Sequence, residues 1–241
     1  MAESLQTFDL IDLAKYTKEG QYSPTASKDF HLFYVGRDNV HEILKHVLSR
    51  VSVSLYLNMF GYDDDELNDL VMDIVHNPQI TCLITLDKSQ AGGVHEKKLL
   101  DSDAAKDPVG FNTHFVIGQS ATHQISHTKG FVADGKVAGE GSTNWSNSGE
   151  GTFVLKGQAG GTGYKAQNNT QTIFTDPDAV MRFQNELIAE HIAAHRMPYT
   201  SFRAGWRWIC ENNGLKNHLK GGWARGPSVL LLSARTRKAI L

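Results

Sequence analysis

His127-Thr-Lys-Gly-Phe-Val-Ala-Asp134-Gly-Lys-Val-Ala-Gly-Glu140-Gly-Ser142-Thr-Asn144 is the stretch that decides how this chain is read. Asp134-Gly135 is a strong two-residue hairpin turn, so Ile125–Ala133 and Lys136–Glu140 are predicted to pair as antiparallel strands. Side chains two apart on a strand share a face, which sets His127 and Lys129 side by side. Gly141-Ser142 then lets the backbone come close, and Asn144-Trp145 is placed to open a short helix. Free N–H groups at a helix start, with a hydroxyl and an amide beside them, make an anion cradle. An imidazole, an ammonium, a hydroxyl and an amide together suit a tetrahedral phosphoryl group. Lys129 neutralises charge, Ser142 and Asn144 donate hydrogen bonds, and His127 can serve as nucleophile or acid/base.

Working outward from this stretch, strands and helices alternate. His31–Val35 reads as a strand. Residues 38–50 form an amphipathic helix, with Val40, Ile43, Leu44, Val47 and Leu48 at helical spacing. Val51, Val53, Leu55 and Leu57 alternate with polar neighbours as a strand does. Leu67, Leu70, Val71, Ile74 and Val75 mark a second helix, Ile80–Thr85 a strand, His95–Leu100 a short helix and Thr113–Ile117 another strand. Gly157–Gly163 reads as a loop and Gln171–Phe174 as a strand. Asp176-Pro177 supplies an N-cap and a proline at the first turn of a helix reaching His195. The expectation is an α/β fold: a mixed β-sheet flanked by helices on both faces. No GxGxxG and no GxxxxGK[ST] occurs, so neither a dinucleotide fold nor a P-loop is supported.

Composition narrows the class. The chain has 241 residues, of which 40% are apolar and 21% charged, which suits a globular domain with a real core. No apolar run approaches the roughly 18 residues of a membrane span. The N-terminus lacks the basic and apolar regions of a secretory signal, which points to a cytoplasmic protein, although a trimmed secreted chain would look the same. Cys82 and Cys210 form no CxxC pair, so a zinc ribbon or a disulfide framework is excluded. The net charge of −2 conceals an asymmetry: residues from Arg196 onward carry nine Lys/Arg and one acid, against a body of about −10. That tail also holds Trp206, Trp208 and Trp223. Basic and aromatic residues together suit single-stranded nucleic acid, and they suit a membrane interface as well; a docked helix with a solvated basic face is the plain alternative. The organisation expected is an N-terminal arm over 1–30, a catalytic domain over 31–199 and a basic, Trp-containing extension over 200–241.

The stretch resembles the signature of the phospholipase D superfamily, HxK-x4-D-x6-GSxN, at every fixed position. The resemblance covers His31 to about Arg196 in its order of elements and implies a phospholipase D-like phosphodiesterase fold. It implies that His127 attacks phosphorus to form a phosphohistidine, and that Lys129, Ser142 and Asn144 hold the phosphate. Asp134 belongs with the catalytic group as a structural or orienting acid, and neither metal nor cofactor is implied. The chemistry needs two histidines and only one motif is present. His95-Glu96-Lys97 has the spacing, but Ser102 stands where an Asp is required. A homodimer with a composite active site follows.

In one respect the chain departs from the family. Where many small members carry Asn-x-Glu, with an acid that orients the histidine, this chain has Asn169-Thr170-Gln171. Glu140 or Glu150 could take over that role. The reading preferred is a metal-independent nuclease cleaving DNA or RNA. The alternatives are a phospholipase D acting on lipid headgroups and a non-catalytic phosphate-binding relative. A metal site at His114, His123 and His127 lacks matching carboxylates. His41 and His46 are read as surface or satisfied histidines.

Overall fold

The structure is a computed structural model. It describes residues 9–87, 126–157 and 165–195, together with the backbone of 113–118. All of these belong to one unit, Met1–Pro198. His95-Glu96-Lys97, His123, Cys210, the Gly-rich loop beyond Gly157 and the basic tail lie outside the described residues.

Seven strands form one sheet: β1 (Phe30–Tyr34), β2 (Ser54–Met59), β3 (Thr81–Asp87), β4 (Thr113–Gly118), β5 (Gly130–Ala133), β6 (Val137–Gly141) and β7 (Thr170–Phe174). Their spatial order is β1-β7-β6-β5-β2-β3-β4. β2, β3 and β4 run parallel to one another, and every other pairing is antiparallel. The sheet is therefore mixed, as expected. β1 lies at one edge of the sheet and pairs with β7, four places away from β2.

The helices are α1 (Val40–Leu48), α2 (Asp65–His76), α3 (Asn147–Glu150), α4 (Thr152–Leu155) and α5 (Pro177–His195). Side chains at i, i+3 and i+4 line one face of a helix. α1 thus buries Val40, Ile43, Leu44, Val47 and Leu48, and α2 buries Leu67, Val71, Ile74 and Val75. They meet Phe33, Leu55, Leu57, Met59, Ile84, Leu86, Phe131 and Ile173 of the sheet in the main core. α5 covers the opposite face, where Val180 and Leu187 pack on Val132 and Ala138. Asp176 caps α5 by accepting from the Ala179 N–H at 2.9 Å, as its sequence predicts.

Two boundaries depart from the sequence reading, each for a visible reason. β2 starts at Ser54 and not Val51, because the N–H groups of Ser52, Val53 and Ser54 bind the Asp134 carboxylate before the strand begins. Val53 is consequently half exposed. Within the stretch read as an arm, Leu10–Tyr16 forms a short 3-10 helix whose Leu10 and Leu13 are buried in the main core. The Tyr22 ring stacks on His31 of β1 at 3.7 Å. Two apolar side chains one turn apart were too few there to register as a pattern, yet they seal the end of α1.

Candidate active site

The β5–β6 hairpin turns at Asp134-Gly135, both with positive φ (56° and 64°), the conformation that Asp and Gly adopt at least cost. β5 itself begins only at Gly130, so His127 and Lys129 lie in an extended lead-in and not within the strand. A polar network on the α5 side fixes this lead-in. The Ser126 N–H donates to Asp87 at 2.6 Å, Ser126 Oγ donates to Asn58 Oδ1 at 3.1 Å, and Asn58 Nδ2 donates to Glu190 of α5. Thr128 Oγ1 reaches the same Glu190 at 3.4 Å. Alternation then turns His127 and Lys129 to the other face.

There His127 and Lys129 meet. Lys129 Nζ lies 3.2 Å from each ring nitrogen of His127 and donates to the His127 carbonyl at 2.9 Å. Lys129 is buried, whereas His127 is open to solvent. Burial lowers the Lys129 pKa below the usual lysine value, and the Glu140 charge pulls in the opposite direction. Phe60, just past the end of β2, closes one side: its ring centroid is 4.6 Å from that of His127 and 5.2 Å from Lys129 Nζ. Phe60 escaped the sequence reading because nothing marks a lone aromatic after a strand as part of a site.

The remaining motif residues arrive from β6. Gly141 pairs with Gln171 of β7, and its N–H reaches the Lys129 carbonyl at 3.3 Å. A Cβ on Gly141 would sit 2.2 Å from the Thr170 carbonyl oxygen, so only glycine allows this approach. Gly141→Ala is accordingly expected to lose about 3 kcal/mol or more of stability by overpacking, read as a lowered midpoint in urea unfolding.

Ser142 is exposed; its hydroxyl donates to Asn169 Oδ1 at 3.2 Å and accepts from the Thr170 N–H at 3.0 Å. Asn144 Oδ1 accepts from the Gly61 N–H at 3.2 Å, which ties the motif to the residue after Phe60. Its amide nitrogen is thereby turned away from Gly61. Thr143 and Trp145, between and beyond them, are buried and act as anchors. The short helix starts at Asn147, capped by Ser146, and not at Asn144. The cradle is therefore built from side chains and extended backbone.

Three acids considered from sequence sit elsewhere. The Asp134 carboxylate accepts from the backbone N–H groups of Ser52, Val53 and Ser54 at 2.8–3.1 Å and from Ser52 Oγ at 2.9 Å. It stands at the other end of β5 from Lys129, five residues of extended chain or roughly 17 Å away. In this fold its carboxylate clamps a turn. Glu140 follows Gly139, which faces Phe131 and Ile173 of the main core, so Glu140 projects to the opposite face from Lys129. Glu150 is fully buried at the end of α3, bonded to His41. Burial raises the Glu150 pKa to about 7 despite the opposing pull of His41. His41 is thus a buried, partnered histidine, as is His46, whose Nδ1 lies 3.2 Å from Tyr16 Oη.

Gln171 is buried and its side-chain amide donates to the Thr172 carbonyl at 3.1 Å. It shares a face with Lys129, but β6 lies between β7 and β5, so the two are not on neighbouring strands. Their Cα atoms are two strand spacings apart, about 10 Å, with Gly141 between them.

No protein-family model matches the sequence, and no curated protein matches it. Among solved structures, the chain is similar to a phospholipase D family member, Nuc from Salmonella typhimurium. The identity is 12% and the TM-score 0.48, over 67% of this chain and 92% of that one. It is similar to NucT from Helicobacter pylori at 14% identity and a TM-score of 0.49, over 68% and 96% of the two chains. It is also similar to the phosphatidylserine synthase of Haemophilus influenzae at 12% and 0.49, over 76% of this chain and 44% of that one. Identities of this order bear on the course of the backbone alone. Among the described residues, no helix is long and apolar enough to cross a membrane.

Proposed function

We propose that this protein is a phosphodiester hydrolase of the phospholipase D kind, working as a homodimer on nucleic acid. The observation that supports this most directly is the Lys129 ammonium held 3.2 Å from both ring nitrogens of the solvent-exposed His127. A buried cation beside an exposed imidazole suits an anionic electrophile. In the proposed reaction a His127 ring nitrogen attacks phosphorus while Lys129 and Asn144 hold the non-bridging oxygens. The P–O ester bond breaks, and the leaving oxygen takes a proton from His127 of a second copy. That second imidazole then removes a proton from water, whose oxygen displaces the first histidine and releases the phosphomonoester. No step requires a metal.

One cradle holds one such histidine, which is why two copies are needed, related by a two-fold axis through the motif face. Nucleic acid is preferred as substrate because the tail from Arg196 combines nine Lys/Arg with three Trp. The test is incubation of the full chain with plasmid, RNA and phosphatidylcholine vesicles, each in excess EDTA. Cleavage of a nucleic acid supports the proposal. Cleavage of the lipid alone would move it to phospholipid, and cleavage of nothing by a folded dimer would leave a phosphate-binding relative. Lys129→Ala is expected to weaken binding of inorganic phosphate about tenfold or more in calorimetry and to abolish detectable turnover. Unchanged phosphate affinity in that variant would remove Lys129 from the cradle.

A further inference from the structure

Away from the motif, three elements bring a second set of donor atoms together inside the protein. His41 enters from the first turn of α1, Asp64 from the N-cap of α2, and Glu150 from the end of α3. One nitrogen of His41 and one carboxylate oxygen each of Asp64 and Glu150 lie within 4.8 Å of one another, and all three residues are buried. Nδ1 of His41 bonds Glu150 Oε2 and is 3.6 Å from Asp64 Oδ2. The other Asp64 oxygen is committed to the Leu67 N–H at 2.8 Å.

Two features of this cluster exceed what packing needs. Glu150 is wholly inaccessible, yet Oε1, on the carboxylate that faces His41, has no hydrogen-bond partner among the described residues. A buried, unpaired carboxylate oxygen is costly unless something else satisfies it. Two buried carboxyl groups, of Asp64 and Glu150, also share one imidazole as their partner. Lys45, which shares Glu66 with His41, is engaged by Glu42 and Glu66 on the surface side.

The far side of the imidazole is arranged as a ligand's would be. His41 Nε2 is 3.4 Å from Glu66 Oε2, so a proton on Nε2 has an acceptor once Nδ1 exchanges its bond to Glu150 for an ion. A carboxylate behind a histidine fixes its tautomer and strengthens it as a metal ligand.

We propose that His41, Asp64 and Glu150 bind a divalent ion of the zinc class at one structural site per chain. The donor set, one imidazole and two carboxylates, suits zinc, with water completing the shell at ligand distances of about 2.0–2.2 Å. The ion takes the place of the proton between His41 and Glu150, whose atoms move apart by a small side-chain rotation, and it satisfies Glu150 Oε1. It joins α1, α2 and α3. It also stiffens the ground under the motif, because the Gly149 carbonyl, next to Glu150, accepts from Asn169 Nδ2 at 3.0 Å, and Asn169 holds Ser142. The site is independent of the hydrolase proposal, which needs no metal at phosphorus.

The test uses the full chain, stripped with EDTA, exchanged into chelator-free buffer and titrated with zinc chloride. One ion per chain is expected by calorimetry, with Tm raised by about 5 °C or more at a hundredfold excess over Kd. Glu150→Gln and Asp64→Asn are expected to weaken that binding by about tenfold to a hundredfold; the second keeps the cap acceptor and so the fold. Absence of binding to the wild type, or unchanged affinity in Asp64→Asn, would overturn the proposal. X-ray absorption at the zinc edge of the loaded wild type should show one imidazole and otherwise oxygen. Several imidazoles, or sulfur, would place the ion elsewhere and overturn it too. His127 and Lys129 are untouched throughout, so failure here leaves the hydrolase proposal standing, and loss of hydrolase activity is not read as support.

Discussion

A heterodimer of wild-type and His127→Ala chains is expected to be inactive, and not half active. In the proposed composite site one imidazole would attack and the other would handle the proton, so each reaction would draw on both copies. The His127→Ala homodimer should lose at least about 10³-fold in kcat on either substrate class, since both the nucleophile and the acid/base are gone. Phosphate binding should survive, because the ammonium of Lys129 and the amide of Asn144 remain. Mixed dimers can be isolated with two affinity tags after joint refolding, and their turnover compared with each parent. Half of wild-type turnover would mean two independent sites, and an active species sedimenting as a monomer would remove the composite site altogether.

Asp134→Ala should destabilise the protein by about 3 kcal/mol while leaving kcat per folded molecule unchanged. Its carboxylate takes bonds from three successive backbone N–H groups and a hydroxyl, and charged acceptors are worth more than neutral ones. Alanine also adopts the positive φ at this position less readily than Asp. Part of the loss is recovered because the Ser52–Val53 turn is exposed and water can replace the carboxylate. A drop in Tm of roughly 10 °C is the expected reading for a unit of this size. The opposite result, an unchanged Tm with kcat down a hundredfold, would return Asp134 to the chemistry. Together the two substitutions separate residues that share one motif: His127, the proposed nucleophile, and Asp134, which holds a turn.

Much of the architecture was legible because it rests on local periodicity. The apolar spacing of Val40–Leu48 and Asp65–His76 can only be buried as helices. Asp134-Gly135 can hardly be anything but a hairpin turn, and Asp176-Pro177 anything but a helix start. Such signals live within a few residues of each other, so sequence carries them whole. The nearness of His127 to Lys129 was legible for the same reason, two positions apart in one extended segment.

What tertiary structure alone decided is where separate segments meet. The placement of β1 beside β7 depends on which edge is free once the hairpin has joined β2, and nothing in His31–Val35 encodes that edge. Phe60 lies against His127, and Gly61 against Asn144, through pairings 67 and 83 residues apart in the chain. Glu140 and Lys129 sit on opposite faces because a strand alternates and the hairpin register fixes which residue faces which; Gln171 is set off from His127 by the insertion of β6. His41, Asp64 and Glu150 look unrelated in sequence, since three helices must dock before their donor atoms converge. Sequence by itself determined most of the elements and the hairpin that carries the motif, whose interactions are short in range. The direction of each side chain, and the buried cluster behind the motif, follow from packing between distant segments, which no local pattern records.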